Sequence, residues 1–171
     1  MEKILEKFQA LGLGEKIILI AGVVLLIASF LPWYSVDLGP FGTFTRNGWE
    51  SPGAFWSIVA VFIGLAMAGV IAVTTFAGVQ LPNNVGGQSW ARVHLAGGAV
   101  ALLFVVIKFL NESSHMSFGF YLGFIAAAAL AGAGFLIVDL DAVEACGRHV
   151  TGLASPYPSI DGGRDVSERM T

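Results

Sequence analysis

One apolar stretch of the chain carries ionisable side chains at its two ends and none in its middle. Four of these side chains recur at steps that return to one face of a helix, and they are His94, Lys108, Glu112 and His115. Ionisable groups at membrane depth usually face protein or water and mark routes for ions or protons. One interpretation is therefore a polar path along this helix.

The other interpretation of these residues is structural. No ionisable residue lies between 95 and 107, so the middle of the helix is dry. His94 and Lys108 then lie near the two membrane boundaries, where a lysine extends its ammonium into the headgroups at little cost. Glu112 would pair with Lys108 four residues away.

The remaining residue types offer little chemistry. The spacings of a nucleophile elbow and of a phosphate-binding loop are absent. Cys146 is the single cysteine and the three histidines are far apart, which excludes a multi-thiolate metal site and haem spacing. Asp139 and Asp141 are two residues apart, so on a helix they point to different faces. We expect no enzyme, no cofactor and no metal.

The composition indicates a lipid environment. Of 171 residues, 56% are hydrophobic and only 12% are charged, whereas soluble domains have about 25% charged residues. The net charge of -3 gives no basis for nucleic-acid binding, which needs a basic patch.

Four stretches are long and apolar enough to cross a bilayer, which takes about 20 residues each. They cover about 16–36, 53–78, 92–110 and 118–140. Their short connections place consecutive spans side by side in opposite directions. We expect an all-α membrane protein, an antiparallel four-transmembrane-helix bundle over 16–140 with a short β-hairpin in its first outer loop.

Small residues recur along three of the spans and predict close helix contacts. The stripes include Ala21, Gly22, Ala28 and Ser29; Ala60, Gly64, Ala68 and Ala72; and Gly119, Gly123, Ala127, Ala131 and Gly134. Such stripes pack either within one bundle or against another subunit, and the pattern does not separate the two.

The basic residues predict the orientation, because cytoplasmic segments hold the excess of lysine and arginine. One side would hold Lys3, Lys7, Lys16, Arg92, Arg148, Arg164 and Arg169, and the other only Arg46 and Lys108. We expect a multi-pass protein of the plasma membrane with both termini in the cytoplasm.

The two ends of the chain differ from the spans. Residues 1–15 place Ile4, Leu5, Phe8 and Leu11 on one helical face, which is typical of a helix lying in the membrane interface. Residues 141–171 begin as a helix extension and continue into a polar segment with prolines and paired glycines, which we expect to be disordered.

The outer loop between the first two spans is rich in aromatic and strand-forming residues. Gly39, Pro40, Phe41 and Gly42 predict the turn of a hairpin. Pro32 should bend or end the first helix, and Ser51-Pro52 should begin the second. We expect Trp33, Tyr34 and Trp56 to anchor the protein at the water boundary, and Phe41, Phe44, Arg46 and Trp49 to form the outer contact surface.

Four spans, cytoplasmic termini and a first-loop hairpin with Trp33 and Gly48-Trp49 resemble the claudin-type tetraspan architecture. That family has a W…GLW motif and two disulfide-bonded cysteines in this loop, and this chain has neither the cysteines nor the middle leucine. The exit "FLPWY" also resembles small four-span membrane proteins of prokaryotes. The resemblance implies a topology and no particular activity.

The functional hypothesis is a non-enzymatic membrane protein that acts by assembly. It would contact membrane lipid and either copies of itself or other membrane subunits, through small-residue helix faces and the aromatic outer loop. The alternative is an oligomeric channel or transporter that uses the polar path along the third helix.

Overall fold

Helices dominate the computed structural model, which describes residues 2–50, 53–82, 84–111 and 115–153. The helices are α1 (Glu2–Ala10), α2 (Leu13–Phe30), α3 (Ala54–Phe76), α4 (Trp90–Asn111) and α5 (Phe118–Leu153). Two antiparallel strand pairs accompany them: β1 (Pro32–Asp37) with β2 (Thr43–Asn47), and β3 (Asn84–Val85) with β4 (Gln88–Ser89). Residues Met1–Asp139 and Leu140–Thr171 form separate compact units, and the polar segment expected to be disordered lies outside the described residues.

Four of these helices are long and apolar enough to cross a membrane, by length and composition, which confirms the expected number. They are α2, α3, α4 and the part of α5 from Phe118 to Glu144. The first span is shorter than the predicted 16–36, because α2 ends at Phe30 and residues from Pro32 onward form a strand. Proline has no backbone N–H to continue the helix, and Leu31 before it is extended, with φ −76° and ψ 160°.

The N-terminal segment forms the predicted helix, α1, although its position in a membrane interface stays a prediction. Ile4 and Leu5 are exposed, and the ammonium of Lys7 donates to the carbonyl of Phe76 at the end of α3, 3.2 Å away. Leu11, just after α1, is buried in the core. The helix is therefore tied to the bundle at two points.

Small residues bring the long helices into close contact within the chain. A Cβ added to Gly22 of α2 would lie 2.8 Å from the carbonyl oxygen of Gly64 in α3. A Cβ on Gly98 of α4 would lie 2.6 Å from the carbonyl oxygen of Leu130 in α5. Contacts this short exclude any side chain, so these glycines are required for internal packing.

The loop between α2 and α3 forms the expected hairpin. β1 and β2 pair in an antiparallel register that places Val36 opposite Phe44 and Asp37 opposite Thr43. A single 3₁₀ turn, Gly39–Phe41, connects them, and Gly39 and Gly42 have φ values of 62° and 89°. These left-handed conformations favour glycine, which is why the sequence marks the turn so clearly.

The connection between α4 and α5 lies along the other edge of β1, which the sequence did not indicate. The N–H of Ser35 donates to the carbonyl of His115 at 2.9 Å, and the N–H of Ser117 donates to the carbonyl of Trp33 at 2.8 Å. Tyr34 and Met116 form the antiparallel bridge between these two bonds. Residues 115–117, between α4 and α5, therefore add a short third segment to the hairpin.

Candidate functional site: a buried lysine beneath the hairpin

Lys108 lies in the last turn of α4 and is buried in the protein, with 0% of its surface exposed. Its ammonium donates to the hydroxyl of Ser57 at 3.0 Å and to the carbonyl of Gly53 at 3.4 Å, both at the start of α3. The expectation that Lys108 extends into the headgroups is wrong. The beginning of α3 and the hairpin cover the end of α4, so the side chain ends among protein groups.

Two aromatic rings from β1 complete the surroundings of this ammonium. The nitrogen lies 5.0 Å from the ring centroid of Trp33 and 5.4 Å from that of Tyr34. Both distances are within the range in which the negative face of an aromatic ring attracts a cation, and the attraction is stronger when water is excluded. The hairpin thus contributes directly to the environment of Lys108.

Trp33 is a core residue, which corrects its assignment as an anchor at the water boundary. Its side chain is 0% exposed, and its indole N–H donates to the carbonyl of Ala28 at 2.7 Å. That carbonyl lies in the last turn of α2 and also accepts from the N–H of Leu31 at 3.1 Å. The ring also packs edge-on against Phe120 of α5, at 5.6 Å between centroids. Pro32 turns the chain so that Trp33 enters the bundle instead of the lipid boundary.

Ser57 links the lysine to the end of the hairpin. Its hydroxyl accepts from Lys108 and has two possible acceptors for its own proton, the carbonyls of Gly48 and Ala54. Gly48 follows β2, and its N–H donates to the carbonyl of Ser29 at 2.9 Å. A Cβ on Gly48 would lie 3.0 Å from that same oxygen, so glycine permits the close approach of the loop to α2.

Trp49 takes part in the same network of hydrogen bonds, and its assignment to the outer contact surface stays a prediction. Its indole N–H donates to the hydroxyl of Ser29 at 2.9 Å. The ring stacks on Phe30 at 5.5 Å and meets Phe62 edge-on at 6.3 Å. Trp49 is half-buried and holds the base of the loop on α2 and α3.

Tyr34 and Trp56, the other two expected anchors, are both half-buried. The ring of Trp56 packs against Phe104 of α4 at 5.3 Å and against its neighbour Phe55 at 5.4 Å. Their role as anchors at a membrane boundary stays a prediction.

The contacts of Lys108 hold parts of the protein together. A lysine nucleophile must be reached by a substrate atom, and the Lys108 side chain has no exposed surface. Its donors go instead to Ser57 and Gly53, and its charge faces the rings of Trp33 and Tyr34. The geometry therefore joins α3, α4 and the hairpin into one unit.

The tip of the hairpin is exposed, whereas its base is buried. Phe41 is 89% exposed and Phe44 is 52% exposed. The guanidinium carbon of Arg46 lies 5.2 Å from the ring centroid of Phe44, so these two side chains cover one another in part. Three of the four residues expected to form the outer contact surface therefore lie together on the hairpin, and Trp49 does not.

The residues of the expected polar path do not come together. His94 and Lys108 are both buried on the same face of α4, but 14 residues separate them, or about 21 Å along a helix. Gly98, Ala101 and Val105 fill the interval, and all three are buried. His115 is exposed, and Glu112 lies outside the described residues.

Sequence reasoning missed the polar partners of Lys108. Serine hydroxyls in helices usually bond to their own backbone, and Ser29 and Ser57 both do so, through the carbonyls of Leu26 and Ala54. A signal was nevertheless present, since both serines lie at the same end of the spans as the lysine.

No group of three or more potential metal-ligating side chains occurs among the described residues. No family model, no curated protein and no solved structure matches the chain. The comparisons therefore give no support to the resemblance to claudin-type proteins, and what the structure shows is four helices long and apolar enough to cross a membrane.

Proposed function

We propose that the chain is a non-enzymatic, multi-pass protein of the plasma membrane whose four long helices form an antiparallel bundle. The contacts between α2 and α5 support opposite directions for these two helices. A Cβ on Gly14, at the start of α2, would lie 2.5 Å from Ile137, and one on Gly119 would lie 2.8 Å from Leu31, just past the end of α2. The excess of basic residues supports a cytoplasmic location for both termini.

We further propose that the protein acts by assembly, and that the tip of the hairpin is its contact with a partner. The observation that carries this proposal is the 89% exposure of Phe41 on a loop whose base is buried. Large aromatic side chains contribute strongly to binding when a partner covers them. The partner is a second copy of the chain or another subunit of a membrane complex, and lipid surrounds the helices.

The rigid base of the hairpin supports a binding role for its tip. Trp33 and Trp49 hold the two ends of the loop on α2 through hydrogen bonds to Ala28 and Ser29, and Ser57 of α3 donates to the carbonyl of Gly48. A contact residue on a fixed support loses less conformational freedom on binding, which strengthens association. The small-residue faces of the helices, by contrast, are used in part within the chain, as at Gly22 and Gly98.

Substitution of Phe41 by serine tests this proposal. In mild detergent, we expect the wild-type protein to have a mass above that of one chain, measured by light scattering. Loss of a central aromatic contact weakens association by about 2 kcal/mol or more, or about 30-fold, so F41S should dissociate at concentrations where the wild type does not.

Val85→Ser is the matched control, because Val85 is also exposed and apolar but lies in the β3–β4 hairpin. It should assemble like the wild type. A wild-type protein that is a monodisperse monomer without a co-purifying subunit contradicts the proposal, as does an F41S protein with unchanged mass.

The alternative of an oligomeric channel or transporter stays a prediction. The burial of His94 and Lys108 on one face of α4 agrees with a polar role for that face. The buried residues between them, with Gly98 against the backbone of α5, give no support to a route within a single chain.

A further inference from the structure

A cavity of about 340 Å³ opens at the end of α4 that is far from Lys108. Residues of α2, α3, α4 and the segment before β3 surround it, at the ends of these helices that lie away from the hairpin. Its walls consist of Glu15, Val70, Ile71, Thr74, Leu81, Pro82, Trp90 and His94. None of these residues has a part in the proposed assembly.

His94 lines this cavity and has an unsatisfied polar atom. The side chain is 7% exposed, and its Nδ1 lies 2.8 Å from the carbonyl oxygen of Trp90. A carbonyl can only accept, so Nδ1 carries a proton, and in the neutral tautomer of the ring Nε2 is then an acceptor. Nε2 is buried and finds no hydrogen-bond partner among the described residues. Buried polar atoms of this kind normally have one.

The other polar groups of the walls are acceptors too. The hydroxyl of Thr74 directs its proton to the carbonyls of Val70 and Ile71, both 3.0 Å away, so its lone pairs remain for a ligand. Glu15 contributes a carboxylate, which accepts only and is negatively charged. A complementary ligand must therefore bring donors, and a positive charge suits it best.

The remaining walls of the cavity indicate the chemical character of the rest of the ligand. Val70, Ile71, Leu81 and Pro82 are apolar. The indole N–H of Trp90 is engaged by the carbonyl of Pro82 at 2.7 Å, which leaves the ring itself for a ligand. Apolar walls with a few convergent polar groups are typical of small-molecule sites. A metal ion fits less well, because no cluster of three potential ligands occurs in the described part of the chain.

We propose that this cavity binds a small organic cation, a primary ammonium group on an apolar body. On binding, the wall at His94 opens so that the ammonium donates to Nε2 of His94 and to the hydroxyl oxygen of Thr74, and the carboxylate of Glu15 balances its charge. The apolar body packs against the ring of Trp90 and the aliphatic walls. The proposal does not depend on assembly through the hairpin, because the two involve different residues.

The test uses the full chain in detergent with 2-phenylethylamine as the probe. Labelling the histidines with ¹⁵N and recording the Nε2 resonance of His94 reports directly on the atom in question. We expect a saturable shift of this resonance. The trimethylammonium analogue keeps the charge but has no N–H, so it should bind at least about tenfold more weakly, since hydrogen bonds to charged groups are worth about that factor.

Variants separate the contributions. His94→Phe and Glu15→Gln should each weaken binding of 2-phenylethylamine by about tenfold or more. His94→Gln should stay within a few-fold of the wild type, because its amide oxygen reaches about as far as Nε2. His115→Asn is the control for an exposed histidine outside the cavity and should change nothing.

Three results would overturn the proposal. The first is the absence of saturable binding by the wild type, which would mean that water alone satisfies Nε2. The second is equal affinity for the primary and the trimethylated amine, which needs no variant to fold. The third is unchanged affinity in His94→Phe.

Discussion

Replacing Gly98 by alanine tests whether α4 and α5 pack as closely as the structure shows. The new Cβ would lie 2.6 Å from the carbonyl oxygen of Leu130 and 2.8 Å from both the nitrogen and the Cα of Ala131. All three are backbone atoms, which cannot rotate away as a side chain can. Because ordinary contacts begin near 3.4 Å, the two helices must separate by about 0.8 Å, the difference between 3.4 and 2.6 Å.

The expected loss of stability follows from two opposing effects. Forcing a methyl group into a well-packed interior costs about 1 to 3 kcal/mol, and a gap of this size weakens the dispersion contacts of neighbouring side chains as well. Alanine in place of glycine also favours the helix itself by about 1 kcal/mol. Gly132 of α5 separates the two effects, since an added Cβ there meets nothing within 4 Å.

We therefore expect Gly132→Ala to be neutral or up to about 1 kcal/mol more stable than the wild type. Gly98→Ala should be less stable than Gly132→Ala by about 1 to 3 kcal/mol, because the helix term cancels in that comparison. Reversible unfolding in mixed micelles with increasing dodecyl sulfate, followed by tryptophan fluorescence, measures the difference. Equal stability of the two variants would refute the close contact.

Two further predictions concern the lysine and the orientation of the chain. In a double-mutant cycle of Lys108→Met and Ser57→Ala, the two changes should be non-additive by about 1 to 3 kcal/mol, because they remove one charge-assisted hydrogen bond; additive losses would show that the bond contributes nothing. A membrane-impermeant maleimide should leave Cys146 unlabelled on intact cells and label it after lysis, whereas in a Cys146→Ser background Phe41→Cys should react on intact cells. The reverse pattern would place the termini outside.

The sequence was informative where structure depends on neighbouring residues. Each long helix follows from a continuous apolar stretch, and the hairpin follows from Gly39 and Gly42, whose left-handed conformations the structure shows. The β3–β4 hairpin was missed although Gly86-Gly87 is a typical two-residue turn. Its two strands, Asn84–Val85 and Gln88–Ser89, are too short to show a pattern of their own.

The environment of Lys108 was beyond prediction for a different reason. Its distance from the end of α4 is a local property, and it indicated a side chain that reaches the headgroups. Burial depends instead on where Gly53, Ser57 and Trp33 lie, and these residues are more than 50 positions away in the chain. The same holds for Trp33, whose position after Pro32 fits a boundary anchor until α5 is known to cover it.

The backbone bonds between β1 and the connection after α4 also determine when the first loop can be completed. Ser35 and Trp33 are synthesised long before His115 and Ser117, with which they form backbone hydrogen bonds. The ammonium that faces Trp33 likewise arrives only with Lys108. During synthesis, the hairpin must therefore wait until α3 and α4 have been made and the chain has passed Ser117. A chain truncated after α3 would keep the contacts of this loop with α2 and α3 but would lack those with Lys108, His115 and Ser117.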